Sequence, residues 1–118
     1  MSAGEDTWTV RIAGAAEADF EAIIAWTFEQ FGDAQAGIYA ETLSLAIEAL
    51  IAGPEQPGVK ARPEIGKGLF TLHVARNGRR GRHFVLFRAD ADPTRRQLDV
   101  LRILHDSMDL VRHSPEEP

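Results

Sequence analysis

Three side chains near the end of the chain have the types and spacing of a chemical site. In "HDSMDLVRH" (105–113), His105, Asp109 and His113 fall at i, i+4 and i+8. On a helix this puts two imidazoles and a carboxylate on one face. A metal site, an acid–base pair and a plain structural ending all fit that pattern. Metal is the weakest of the three. A metal centre uses three or four ligands held by oriented second partners, and this spacing spans about 12 Å of helix axis. One ion would reach His105 and Asp109 and leave out His113. As a structural ending, His105 closes a strand and bonds a neighbour, Asp109 caps or pairs, and His113 meets solvent. As an acid or base, His105 needs a substrate, which a cationic surface would have to supply.

The cations are concentrated where such a surface would form. Residues 1–59 hold ten acids and one base, Arg11, while residues 60–118 hold eight acids and twelve bases. The net charge of −5 therefore hides an acidic first half and a basic second half. One positive face suits an anionic partner; the plainer reading is that the halves attract each other and solvate the surface. The second half carries Lys60, Arg62, Lys67, Arg76, Arg79, Arg80, Arg82, Arg88, Arg95, Arg96 and Arg102. Of these, Arg79, Arg80, Arg82, Arg95 and Arg96 sit in or beside turns and are expected to be mostly solvated. Arg88 shares a strand face with Phe84 and Leu86. Its planar fork suits a phosphate or a carboxylate, and pairing with a buried acid is the commoner use.

Other chemistries are excluded or poorly supported. With no cysteine there is no disulfide, thiolate metal site or thiol nucleophile. No phosphate-binding loop, dinucleotide fingerprint or H-E-x-x-H motif occurs, and none of the four serines has a G-x-S-x-G context. Neither a metal nor a cofactor is expected. Phe20, Phe28, Phe31 and Phe70 read mainly as core or helix–sheet contacts. Trp26, on the back of the first helix, is a candidate partner contact.

The elements that must position these residues follow from periodicity. "TWTVRIA" (7–13) alternates as a half-buried strand. "GAAEADFEAIIAWTFEQFG" (14–32) changes to helical spacing at Ala16, Phe20, Ile23, Ile24, Thr27 and Phe31. Glu17, Asp19 and Glu21 lie near its positive end, and Gly32 stops it. Asp33 is expected to cap a second helix with a stripe of Ala36, Tyr39, Leu43, Ala46, Ile47, Leu50 and Ile51. Gly53 and Pro54 end that helix, and the short break predicts an antiparallel hairpin. "PEQPGVKARPEIGKG" (54–68) reads as a connecting loop because of its prolines and glycines. Three strands follow: "LFTLHVA" (69–75), "RHFVLFRA" (82–89) and "QLDVLRIL" (97–104), the first pair joined across Asn77-Gly78. A turn or two of helix closes the chain, and "SPEEP" frays.

The expected class is α+β: an N-terminal strand at the sheet edge, an antiparallel helical hairpin on one face, a three-stranded antiparallel meander and a short helical tail. At 118 residues, 44% hydrophobic and 26% charged, the chain is expected to be one soluble domain, 1–118, with its core over about 8–113. No leader and no long apolar run is visible, so a cytoplasmic protein without membrane contact is expected.

The pattern "A..DFEAIIAWTFEQFG...A..Y...L..AI..L...P..G", then "RPEI..GLFTLHVAR", "RHFVLFR" and "LDVLRILHDSMDLVRH", resembles the RelE/ParE superfamily of bacterial toxins over roughly 8–113. The ParE branch is the closest. The ending R-I-L-H, M-D, R-H is the most specific part, so "HDSMDLVRH" resembles a signature tail and not a metal box. The resemblance implies a small microbial-RNase-like fold and a type II toxin that poisons DNA gyrase and blocks replication until a ParD-like antitoxin neutralises it. The alternatives are a RelE-like endoribonuclease that cleaves mRNA on the ribosome, and a degenerate toxin that only binds its antitoxin. For the endoribonuclease, Arg62, Arg76, Arg88 and His105 lie at positions resembling the catalytic parts. No tyrosine follows the last strand, however, and Tyr39 is in the second helix, so the usual proton transfers lack a partner. That departure favours the gyrase branch. Antitoxin carboxylates would meet Arg62, Arg76, Arg79, Arg80, Arg82 and Arg88, and its apolar anchors the groove beside the hairpin. Sequence-specific DNA binding by this chain alone is not expected.

Overall fold

The computed structural model describes residues 7–108. The alternating N-terminal segment forms strand β1 (Thr9–Ile12), and the helical stripes form α1 (Gly14–Phe31) and α2 (Asp33–Ala49). Gly32 separates the helices at φ 89, a left-handed-side angle open to glycine. Its N–H donates to Phe28 O at 2.8 Å while its own carbonyl accepts from Ala36 N. Gly32, not Asp33, therefore holds the N-cap position. Asp33 is the first helical residue, where its charge meets the positive end of the dipole without a capping bond.

A 3-10 turn, Leu50–Ala52, ends the hairpin at Gly53. The expected loop then differs from the structure. Within it, Val59–Ala61 form β2, paired antiparallel with Phe70–Leu72 of β3 (Leu69–His73). Prolines at 57 and 63 flank this strand without lying in it, so none of its three residues lacks a ladder donor. Strands β4 (His83–Ala89) and β5 (Gln97–His105) complete the meander. The sheet order is β1-β5-β4-β3-β2, with β1 parallel to β5 and the other pairs antiparallel. The first strand is thus at an edge, as expected, and β2 makes a fifth strand at the other.

Strand alternation sorts the core. Leu72, Val74, Val85, Phe87, Leu98, Val100 and Ile103 pack with Ala16, Leu43, Ala46 and Leu50 of the helical layer. Truncating a fully buried Leu43 or Phe87 to alanine costs about 2–5 kcal/mol in such a setting. Leu69, Leu86 and Leu104 point the other way and form a smaller cluster with Ile65 and Leu101. A bulge between Leu86 and Phe87 skips Leu101 in the β4–β5 register, which lets β5 keep apolar residues on both faces. Two expected core residues are not in the core. Phe28 is 54% exposed and Phe31 64%, because the stripe drifts off the sheet as α1 reaches its end. Among the described residues no helix is long and apolar enough to cross a membrane.

Candidate functional site: a basic-rimmed groove beside the helical hairpin

The far end of the hairpin and the β3–β4 turn enclose a groove of about 1190 Å³. Trp26, Phe31 and Ile38 form its apolar wall, and Arg79, Arg80, Arg82, His83 and His105 form the opposite rim. Trp26 and Phe31 meet edge to face at 5.9 Å. Trp26 is 57% and Ile38 53% exposed. Large apolar surface left open beside cations marks a binding surface more than a packing defect.

A polar chain ties the two layers together at the groove floor. Tyr39, from the α2 stripe, places its Oη 2.6 Å from His83 Nδ1. That Oη also accepts the Arg82 backbone N–H at 3.1 Å. Its own proton is then directed to His83 Nδ1, which assigns the ring proton of His83 to Nε2. Burial, reinforced by neighbouring His105, pushes His83 down from 6.5 to about 4. Burial also raises the Tyr39 hydroxyl above its ordinary value. Gly81 is required here by close approach: a Cβ would lie 2.5 Å from Val74 Cγ2 and 2.9 Å from Tyr39 Oη.

His105 pairs across the strands with His83, and the rings meet edge to face at 5.2 Å. His105 Nδ1 lies 2.7 Å from Ser107 Oγ and accepts the Ser107 backbone N–H at 3.2 Å. Its expected place at a strand end, bonded to a neighbour, is what the structure shows. Asp109 and His113 lie outside the described residues. Among the described residues no group of three or more metal-ligating side chains occurs.

The arginines divide into three sets. Arg79 is not solvated as expected: it donates to Thr42 Oγ1 at 2.9 Å, Glu41 Oε1 at 2.9 Å and Ile38 O at 3.1 Å, and so staples the turn to α2. Arg82 is exposed and donates to Asp106. The hydrogen bond from His73, at 2.9 Å, and the one from Arg82 hold the Asp106 carboxyl below its ordinary range. Arg80 is exposed with no partner among the described residues. Arg62 and Arg88 belong to the opposite sheet face. Arg62 donates to Thr71 Oγ1 at 2.9 Å and stacks over Phe84 at 5.3 Å. Arg88 pairs in register with Leu69 of the smaller cluster. Arg76 reaches Gln56 Oε1 at 3.5 Å, away from both.

The four residues considered for RNA cleavage are therefore not assembled. His105 opposes His83, whereas Arg88 sits five positions further along β4 on the other face. That separation is roughly 17 Å along the strand alone. Sequence reasoning missed His83, Asp106 and the polar role of Tyr39. The signal available was a histidine at the end of each of two strands; only the register shows that they meet.

The sequence of residues 10–110 matches the family model described as the ParE toxin of the type II toxin–antitoxin system parDE. No curated protein sequence gives a match. Among solved structures, the chain is similar to a chromosomal ParDE toxin–antitoxin system from P. aeruginosa, with 20% identity, a TM-score of 0.66, and coverage of 83% of this chain and 95% of that one. It is similar also to the RelBE2 toxin–antitoxin complex of Mycobacterium tuberculosis, at 24% identity, TM-score 0.54 and coverage of 84% and 98%. A YoeB/ParE toxin from Agrobacterium tumefaciens shares the fold at 11% identity, TM-score 0.55 and coverage of 82% and 96%.

Proposed function

The chain belongs to the ParE toxin family of type II toxin–antitoxin systems, and from that premise we propose that it poisons DNA gyrase and is neutralised by a ParD-like antitoxin. The observation that carries the choice of target is the separation of His105 from Arg62 and Arg88 on opposite sheet faces. Phosphodiester cleavage needs a base, an acid and a charge stabiliser within reach of one phosphate. This sheet does not gather those candidates into one place. A poison that acts by binding needs a surface instead, and the exposed Trp26, Phe31 and Ile38 beside Arg80 and Arg82 provide one.

The antitoxin reading uses the same surface. An apolar segment seats in the groove while its acids face Arg80 and Arg82, ordering as it binds. Arg79 supports this rim through α2 and does not itself offer a free charge. The single-domain and cytoplasmic expectations are part of this proposal.

The test is induction of the chain in bacteria as wild type, His105→Ala and Arg88→Ala. Growth arrest by all three, with thymidine incorporation falling before amino-acid incorporation, is the expected result. Loss of toxicity in both variants by about 10²- to 10⁴-fold would instead identify proton-transfer chemistry and the ribosome-dependent endoribonuclease.

A further inference from the structure

The His83–His105 end of the groove has a donor arrangement that the binding-poison reading leaves unused. Each ring has its Nδ1 occupied as an acceptor: His83 by Tyr39 Oη and His105 by the Ser107 backbone N–H. In the neutral rings the proton therefore sits on Nε2 in both. Among the described residues neither Nε2 has a hydrogen bond, and no buried side-chain nitrogen or oxygen lacks a partner. Both Nε2–H groups consequently reach solvent, and both residues line the groove. The nearest carboxylate, Asp106, lies 3.7 Å from His105 Nδ1 and is already engaged by His73 and Arg82, so two neighbouring donors without a bonded acceptor suit an anion with several oxygens. Arg80, on the same rim and without a partner among the described residues, adds the positive charge.

The opposite wall supplies a second and different surface. Trp26 lies in the groove with more than half of its area open, braced by the edge-to-face contact with Phe31. An open indole face beside a site for a phosphoryl anion fits a planar base, because stacking tolerates any base and needs only a π face.

We propose that this groove binds a nucleotide, with its phosphate on His83, His105 and Arg80 and its base on Trp26. The same chemistry comes from a free nucleotide or from a nucleotide within a single strand. The inference does not depend on which cellular target the toxin acts on. Occupation by an antitoxin segment would exclude the nucleotide, so the purified chain is tested without a partner.

The experiment titrates the full chain separately with adenosine monophosphate, adenosine, inorganic phosphate and a short single-stranded oligodeoxynucleotide. The readouts are the side-chain imidazole resonances of His83 and His105 and the indole resonance of Trp26. Adenosine monophosphate is expected to move all three. Adenosine and phosphate alone are each expected to bind about tenfold more weakly or worse. Arg80→Ala and Trp26→Leu, each verified as folded by circular dichroism, should each weaken nucleotide binding about tenfold, and Arg95→Ala should not. Tighter binding of the oligonucleotide than of the mononucleotide supports the inference with a strand as the source; the reverse order supports it with a free nucleotide. Unmoved imidazoles, phosphate binding as tight as nucleotide binding, or wild-type affinity in the Arg80 and Trp26 variants would overturn it.

Discussion

At the residue scale, His83 shows how a single side chain acquires properties its sequence position does not announce. The strand puts it on the helix-facing side, Tyr39 fixes its tautomer, and burial lowers it from 6.5 to about 4. The groups that face it are Tyr39, His105, Asp106, His73 and Asp19. The unfolded chain takes up a proton at this ring near pH 6.5, while the folded chain resists until about pH 4. Between those values the unfolded state binds more protons, so stability is intact above about 6.5 and falls as the pH drops towards 4. Asp106 acts lower: its depressed carboxyl adds stability above 3.8 that is lost on further acidification. His83→Gln is therefore expected to flatten the decline in Tm between pH 6.5 and about 4, measured by thermal melts across that range. Equal slopes in variant and wild type would contradict this account of the ring. None of it was legible beforehand. Tyr39 reads as one member of an apolar stripe, and His83 as a strand residue, until the two elements are brought together.

At the element scale, the hairpin is held to the sheet by packing, by the Tyr39–His83 bond and by two charged clasps at different places. One is Arg79, which binds the β3–β4 turn to α2. The other is Asp19 of α1, which accepts two bonds from Arg102, at 2.7 and 2.9 Å, and the backbone N–H of Ile103 at 2.9 Å. That N–H belongs to the part of β5 that β1 does not reach. The Asp19 carboxylate therefore stands in for a missing strand. Asp19→Ala is expected to cost about 2–3 kcal/mol in urea unfolding, because it strands both a guanidinium and a strand N–H. Arg102→Met should cost less, since Asp19 keeps the Ile103 N–H. A loss below about 0.5 kcal/mol for Asp19→Ala would reduce this clasp to an ordinary surface pair.

Periodicity made the elements themselves legible. Both helices, the Gly32 break and four of the five strands follow from the 3.6 and 2 repeats and from turn residues. The fifth, β2, did not follow. Three residues between prolines carry no periodic signal, and β2 exists because β3 offers it a ladder. The role of Asp19 was hidden for a related reason: near a helix start it reads as a dipole partner, and only the sheet edge gives it another use.

At the scale of the whole molecule, the charge division between the halves of the chain becomes a spatial arrangement. The acidic hairpin and the basic turn face each other across the groove. Some of that attraction is spent internally, as in Arg79 with Glu41 and Arg102 with Asp19. Arg80 and Arg82 remain on the rim as exposed charge. The antitoxin proposal therefore makes a narrower prediction than the sequence could. Arg80→Glu with Arg82→Glu should weaken antitoxin binding and slow association, most visibly at low salt, in a pull-down or by calorimetry, while leaving the fold intact. Arg79→Glu would instead unseat the turn, so it does not test the same point. Undiminished binding by the double variant would move the antitoxin elsewhere. The candidate RNA-cleaving set illustrates the limit of a linear reading. Arg62, Arg88 and His105 look close in a three-strand meander written as text, but strand alternation sends them to different faces.

The most direct test of the central claim is a supercoiling assay with purified gyrase, relaxed circular DNA and this chain free of any partner. Inhibition of supercoiling, retained by His105→Ala and relieved by the antitoxin, is the result expected of a gyrase poison. Gyrase that works undisturbed, while ribosome-bound mRNA is cut by the same preparation, would contradict it.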